Sequence, residues 1–190
     1  MNVGVIGGGR MGSGIAQVFL ARGDRVTVQE PQARTARERI AEGLAVAAAK
    51  GLADRADALA RLTMGPVPAD ADLVIEAVPE DPALKAEVLA EAESRIRQDA
   101  VLATNTSSLS IAELAAALDR PERLIGLHFF NPVPVQRLVE IVVTKATPAP
   151  LLALARRYVD RLGKTSVVIN DSPGFATSRL GVLLGLEAIR

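Results

Sequence analysis

VIGGGRMGSG, Val5 to Gly14, decides how the rest of the chain is read. An apolar run, Val3 to Ile6, leads into it, and Met11 to Ala21 follows with apolar residues at helical spacing, so the stretch reads strand, turn, helix. Gly7, Gly9 and Gly12 fit G-x-G-x-x-G. The first glycine permits a tight turn, the second lets backbone approach a pyrophosphate, and the third lets helix and strand pack closely; the helix N-terminus adds amides and partial positive charge. Gly23-Asp24 stops the helix, and Arg25 to Glu30 (RVTVQE) is rich in β-branched residues, which closes a β-α-β unit within about 30 residues. Glu30 ends that second strand, near the spacing of ~20 residues at which a carboxylate accepts hydrogen bonds from ribose hydroxyls. A phosphate on that ribose would meet the carboxylate's charge, which favours NAD, although Arg34 stands close by. Alone, such a pattern is also what a flexible turn looks like; strand, helix and acid together make it a dinucleotide site. Gly7, Gly9, Met11, Gly12 and Glu30 are the expected cofactor contacts.

Outward from this unit, strands and helices keep alternating. Ala33 to Lys50, free of proline and ended by Gly51, predicts a long helix, and a second helical stretch runs from Ala53 to Ala60. Leu73 to Ala77 and Val101 to Thr104 predict buried strands, with a helix over Pro82 to Arg97 between them and a polar turn, NTSS, after the second. Such alternation predicts a doubly wound, Rossmann-type α/β fold with a mostly parallel sheet. After Arg120-Pro121 the rhythm changes. Leu124 to His128 and Leu138 to Thr144 are separated only by a proline-containing loop, too short for a helical crossover, so these strands must pair antiparallel at the sheet's edge. Ala149 to Leu162 predicts a helix, Ser166 to Ile169 a last strand, and Gly174 to Arg190 a helix apolar on most sides, which would pack on a partner subunit or a further domain.

Composition sets the outer limits on function. Half of the 190 residues are hydrophobic, enough for a substantial core, and 22 basic residues balance 22 acidic ones. Net charge therefore offers no field to draw nucleic acid or an anionic membrane. Zero Cys excludes disulfides, thiolate metal sites and cysteine nucleophiles, and one His argues against a histidine-rich metal centre; no metal is expected. No run approaches the ~18 apolar residues of a membrane span, and the N-terminus carries no basic segment ahead of an apolar one. A soluble cytoplasmic protein is expected.

The single histidine lies in HFFNPVPVQRLVEI, His128 to Ile141. A hairpin centred near Pro134 puts His128 and Glu140 opposite one another across the strand pair. A carboxylate there fixes the imidazole tautomer and stabilises the imidazolium, which suits removal of a proton from an alcohol. A lone histidine beside two phenylalanines is otherwise a structural one; the carboxylate and the nucleotide turn together favour proton transfer coupled to hydride transfer.

HFFNPVPVQRLVEI, the opening VIGGGRMGSGIAQ, the segment ATNTSSLSI and the later DSPGF resemble, in that order, the NAD-binding domain of L-3-hydroxyacyl-CoA dehydrogenases, and the resemblance runs the length of the chain. It implies oxidation of an L-3-hydroxyacyl-CoA to a 3-ketoacyl-CoA with NAD as hydride acceptor, as in fatty acid β-oxidation. It further implies His128 as the base, Glu140 as its orienting partner, and Ser107 as a hydrogen-bond donor to the reacting oxygen. Asn131, Glu80 and Lys85 match cofactor contacts, and Lys50 matches a lysine near the coenzyme A phosphates. Each has a plainer reading. Ser107 could cap the helix over Ile111 to Ala117, as could Ser108 or Ser110; Glu80 with Lys85 could be a solvated helix start; Lys50 could be a charge at a helix C-terminus.

Two departures from the family stand out. Where the family has an asparagine polarising the substrate oxygen, this chain has Ser178, a shorter donor. The family's helical second domain, which shapes the acyl site and forms the dimer, is represented by one helix: residues 1–172 are expected to form the NAD-binding domain and 173–190 the start of the helical one. A truncation, a fragment and a stand-alone domain all fit that length, and the apolar helix predicts a homodimer or higher oligomer. The competing functions are a related His/Glu dehydrogenase of a free hydroxy or sugar acid, and an NAD-binding module without catalysis. A lysine-base β-hydroxyacid dehydrogenase is disfavoured because no lysine follows Lys164.

Overall fold

The computed structural model describes residues 1–189; Arg190, the expected end of the last helix, lies outside them. The first unit forms as the glycine pattern requires. β1 (Asn2–Ile6) runs into α1 (Arg10–Ala21), which returns to β2 (Arg25–Gln29), parallel to β1 with Val3 beside Val26. α1 buries Ile15, Ala16, Phe19 and Leu20 against the sheet. It ends at Gly23, whose φ of 85° is the left-handed conformation that lets the chain reverse into β2. α2 (Ala33–Ala49) follows, and its buried Ala36, Ile40, Leu44 and Ala47 form one stripe at helical spacing.

α3 (Arg55–Ala60), capped by the Asp54 carboxylate on the Asp57 amide, leads into β3 (Leu62–Met64), which pairs parallel with β2. This strand is not foreseen by the sequence reading, because three residues between a helix and a glycine turn carry no alternation. β4 (Leu73–Glu76), α4 (Pro82–Arg95), β5 (Val101–Thr104), α5 (Ile111–Ala115) and β6 (Leu124–Phe129) complete the six parallel strands. α4 ends two residues short of expectation and α5 is a bare turn and a half, closed early where Ala116 and Ala117 tighten onto the carbonyls of Ala112 and Leu114.

β7 (Leu138–Val143) turns back antiparallel to β6, and α6 (Ala149–Arg161) carries the chain to β8 (Thr165–Asn170), parallel to β7. The sheet has the order β3-β2-β1-β4-β5-β6-β7-β8. The fold is the expected Rossmann-type α/β fold, with one refinement: the hairpin lies one strand in from the edge, which β8 occupies, because the α6 crossover is long enough to place β8 outside β7.

Alternate residues supply two cores, one on each face. Leu73 and Ile75 join Val3, Val5, Ile15 and Phe19 on one side, while Val74 joins Ile6, Leu89 and Leu102 on the other. α7 (Thr177–Ile189) buries no residue, and Leu180, Val182, Leu183, Leu184, Leu186 and Ile189 are all exposed, as its all-round apolar sequence leads one to expect. Among the described residues no helix is long and apolar enough to cross a membrane.

Candidate active site

The carboxyl ends of β1, β4, β5 and β6 converge on one rim of the sheet, where the strand order reverses direction between β1 and β4. Such a switch point is where open α/β sheets bind ligands. The glycine turn occupies its centre. Gly7 has φ of 95°, and a Cβ on it would lie 2.7 Å from the Ala77 carbonyl oxygen; a Cβ on Gly12 would lie 1.8 Å from the Gly7 carbonyl oxygen. Both glycines are therefore demanded by the protein's own packing. Gly9 is different: a Cβ there would touch nothing, so the room beside it faces outward, where a pyrophosphate would approach the backbone. Gly12→Ala is expected to cost roughly 3 kcal/mol, since the clash is with backbone and not with a side chain that can turn away. The measurement is urea unfolding, and a loss under about 1 kcal/mol would mean that α1 shifts freely on β1.

Glu30 accepts hydrogen bonds from the amides of Gly8 at 2.7 Å and Gln32 at 3.0 Å, so its carboxylate is held against the turn. Arg34, the residue that clouded the cofactor reading, faces away and pairs with Glu38. A different arginine reaches the turn: Arg39 donates to the Gly8 carbonyl at 2.9 Å, beside the Ser13 hydroxyl at 2.7 Å. Gly8 itself escaped the motif reading. A Cβ on it would meet Ala36 and Glu30 below 3 Å, which only the fold of α2 over the turn reveals.

His128 and Glu140 are register partners across β6 and β7, as the hairpin symmetry predicts. The imidazole Nδ1 lies 2.7 Å from Glu140 Oε2, and the two residues are 5% and 1% exposed. Phe130 and Phe175 flank the ring at centroid distances of 4.5 and 5.6 Å. Among the described residues no group hydrogen-bonds the other ring nitrogen, Nε2. Glu140 is saturated. Its Oε1 accepts from the amides of Ala176 at 3.2 Å and Thr177 at 2.9 Å, and its Oε2 from the Thr177 hydroxyl at 3.1 Å as well as the histidine. Consecutive left-handed residues, Gly174 at φ 71° and Phe175 at φ 50°, turn the chain so that those amides face the carboxylate. The Phe175 conformation is strained for a side chain of its size, and strain of that kind gathers at functional sites.

Ser107 is exposed and does not cap α5; Ser110 does, accepting from the Glu113 amide and donating to Asp171. What holds the Ser107 turn is Glu80, whose Oε1 accepts from the Thr106 hydroxyl at 2.5 Å and the Ser107 amide at 2.9 Å. Burial works to raise the Glu80 carboxyl, but these hydrogen bonds and the Lys85 ammonium outweigh it and hold the group below the usual carboxylate value.

Lys85 is no solvated charge. It is 1% exposed, and its ammonium lies 2.7 Å from Glu76, 3.2 Å from the Val78 carbonyl and 3.3 Å from Glu80. The Thr104 hydroxyl and the Val78 amide complete the shell of the buried Glu76. Lys85 thus sits beneath the rim, behind Glu80, and its ammonium is taken up by protein groups. Glu76, Thr104, Thr106 and Asn105, which accepts from the Phe129 amide at 2.8 Å, are site-building residues the sequence reading passed over.

Lys50 and Asn131 share a cleft of about 400 Å³ between α1, α2 and the proline loop, with Arg10, Arg39 and Val46 also on its wall. His128 and Ser107 do not line it. Ser178 is half-buried on the first turn of α7, next to the Thr177 that meets Glu140.

The family profile described as 3-hydroxyacyl-CoA dehydrogenase, NAD binding domain, matches residues 2–172. A 3-hydroxybutyryl-CoA dehydrogenase of Mycobacterium tuberculosis H37Rv is 44% identical over 199 aligned positions, covering 99% of this chain and 70% of the relative. The crystal structure of M. tuberculosis FadB2 superposes with a TM-score of 0.92 at 44% identity, again over 99% of this chain and 70% of that one. (S)-3-hydroxybutyryl-CoA dehydrogenase PaaH1 from Ralstonia eutropha superposes with a TM-score of 0.91 at 34% identity, over 98% and 69% of the two chains.

Proposed function

The chain belongs to the 3-hydroxyacyl-CoA dehydrogenase family by its NAD-binding domain, and from that we propose that it oxidises the 3-hydroxyl carbon of an L-3-hydroxyacyl-CoA to a 3-ketoacyl-CoA, reversibly. The observation that carries the reading is the buried His128–Glu140 pair at 2.7 Å on the rim that also holds the glycine turn. NAD, when bound, supplies the hydride acceptor. Gly7, Gly9, Met11 and Gly12 offer the turn and its amides to the pyrophosphate, and Glu30 offers a carboxylate to the ribose.

With Nδ1 donating to Glu140, Nε2 is the nitrogen left to take the 3-hydroxyl proton, and Glu140 stabilises the imidazolium that results. In the reverse direction the same nitrogen returns the proton to the oxygen as the carbonyl is reduced. Ser107, free of a capping role, donates to the reacting oxygen, with Ser178 as a second, shorter donor. Glu80 and Lys85 hold the turn that presents Ser107. Asn131 is assigned to the cofactor side and Lys50, beside Arg10 and Arg39, to the coenzyme A phosphates; the cationic wall of the shared cleft supports the latter. Residues 173–190 are assigned to the start of a helical domain, whose apolar surface supports assembly into a homodimer.

The test is oxidation of NADH by the purified chain with acetoacetyl-CoA, compared with free acetoacetate. Turnover is expected to depend on the coenzyme A group, because remote binding energy is spent on orienting the reacting centre. Equal turnover of the free acid would point instead to a hydroxy-acid dehydrogenase, and NADH binding without turnover of either to a module that binds nucleotide only.

A further inference from the structure

We propose that Thr177 is a positioning residue for the His128 base, a role that rests on the function proposed above. Thr177 acts through the way Glu140 is held. Two backbone amides, those of Ala176 and Thr177, hold Oε1, the oxygen that does not meet the imidazole. Among the described residues two groups hold Oε2: the imidazole Nδ1 at 2.7 Å and the Thr177 hydroxyl at 3.1 Å. The imidazole is the group being positioned, so the hydroxyl is the donor that holds Oε2 independently of it. Glu140 is 1% exposed, and a hydrogen bond to a buried charged group is among the stronger ones.

Thr177 is also the first residue of α7. Its amide and hydroxyl grip both oxygens of the carboxylate, and Phe175, two residues before, packs its ring 5.6 Å from the imidazole. The orientation of the proton-transferring ring is thereby tied to how α7 leaves the sheet domain. Whatever tilts the helix turns the carboxylate, and with it the imidazole.

The unmodified chain is compared with Thr177→Val, which keeps the shape and removes the hydroxyl, and with Thr177→Ser, which keeps the hydroxyl. Thr177→Ala serves as an independent hydroxyl-free variant should the valine not be accommodated. His128 is the single histidine, so its ring nitrogens and the Nδ1 proton are read directly by ¹⁵N-edited NMR with no assignment. The unmodified chain and Thr177→Ser are expected to hold the Nδ1–H tautomer with a slowly exchanging proton. Thr177→Val is expected to mix tautomers and to exchange that proton roughly tenfold faster. It is further expected to lower kcat on acetoacetyl-CoA by about the same factor with NADH affinity unchanged. A Thr177→Val spectrum and kcat matching the unmodified chain would overturn the proposal. So would Thr177→Ser losing as much as Thr177→Val, which would reduce the residue to packing. A chain that shows the NMR difference but turns over no acyl-CoA would remove the proposed function and leave the positioning role standing.

Discussion

His128→Ala is expected to lower kcat for NADH-dependent reduction of acetoacetyl-CoA by about 10²- to 10⁴-fold while leaving NADH affinity within experimental error. The two effects should separate because His128 lies on β6, whereas the proposed pyrophosphate and ribose contacts lie in the turn between β1 and α1 and just after β2. The variant should also fold. Glu140 keeps three donors, from Ala176 and from the amide and hydroxyl of Thr177, so the buried carboxylate is not stranded when the imidazole is removed. Steady-state kinetics beside fluorescence titration with NADH decide it. Activity within a few-fold of the unmodified chain would assign proton transfer to another group, and joint loss of turnover and NADH binding would make His128 a structural residue.

Lys85→Met is expected to be the most damaging single change to stability, at about 3–5 kcal/mol. It removes the cation from Glu76, which is 0% exposed, and leaves a charge inside the protein with, among the described residues, the Val78 amide and the Thr104 hydroxyl to satisfy it. Glu80 loses its cation as well, so the turn carrying Ser107 loosens. Pairing the change with Glu76→Gln tests the cause: the neutral amide accepts from the Val78 amide through its oxygen and donates through its nitrogen to the Thr104 hydroxyl oxygen, and most of the lost stability should return. Urea unfolding of the single and double variants measures this. If the double variant is no more stable than Lys85→Met, the loss comes from packing of the lysine stem and not from an uncompensated charge.

Lys85 also marks where the sequence stops being legible. At the start of a helix with three glutamates it reads as a surface charge, and nothing in local periodicity indicates that Glu76 and Glu80 close over it. That arrangement depends on how β4 and α4 fold against each other. Gly7 and Gly12 were legible because the spacing of the glycine motif lies within one short turn, although the close approach of Ala77 to Gly7 comes from the end of β4. Gly8 was not, because its neighbours arrive from β2 and α2. The His128 and Glu140 register could be read because the hairpin is local and near-symmetric about Pro134. The grip of Thr177 on Glu140 could not, being 37 residues away along the chain and dependent on the turn at Gly174 and Phe175. β3 was lost for a simpler reason: a strand of three residues carries too little pattern, and α5 was read two residues too long because so short a helix shows no clear end.

Every pair of neighbouring strands is consecutive in the chain except β1 with β4. The sheet is therefore two chain-continuous halves, residues 2–64 and 73–170, zipped along a single seam. Gly7 lies at the top of that seam, where a side chain would press on Ala77 of the opposite half. A dinucleotide laid over the glycine turn and reaching towards Ser107 would bridge the seam from above. Occupancy then does more than prepare the chemistry: a molecule that binds only the zipped form opposes its opening, in proportion to its concentration over Kd. The cofactor of such a sheet is a clasp as well as a reagent.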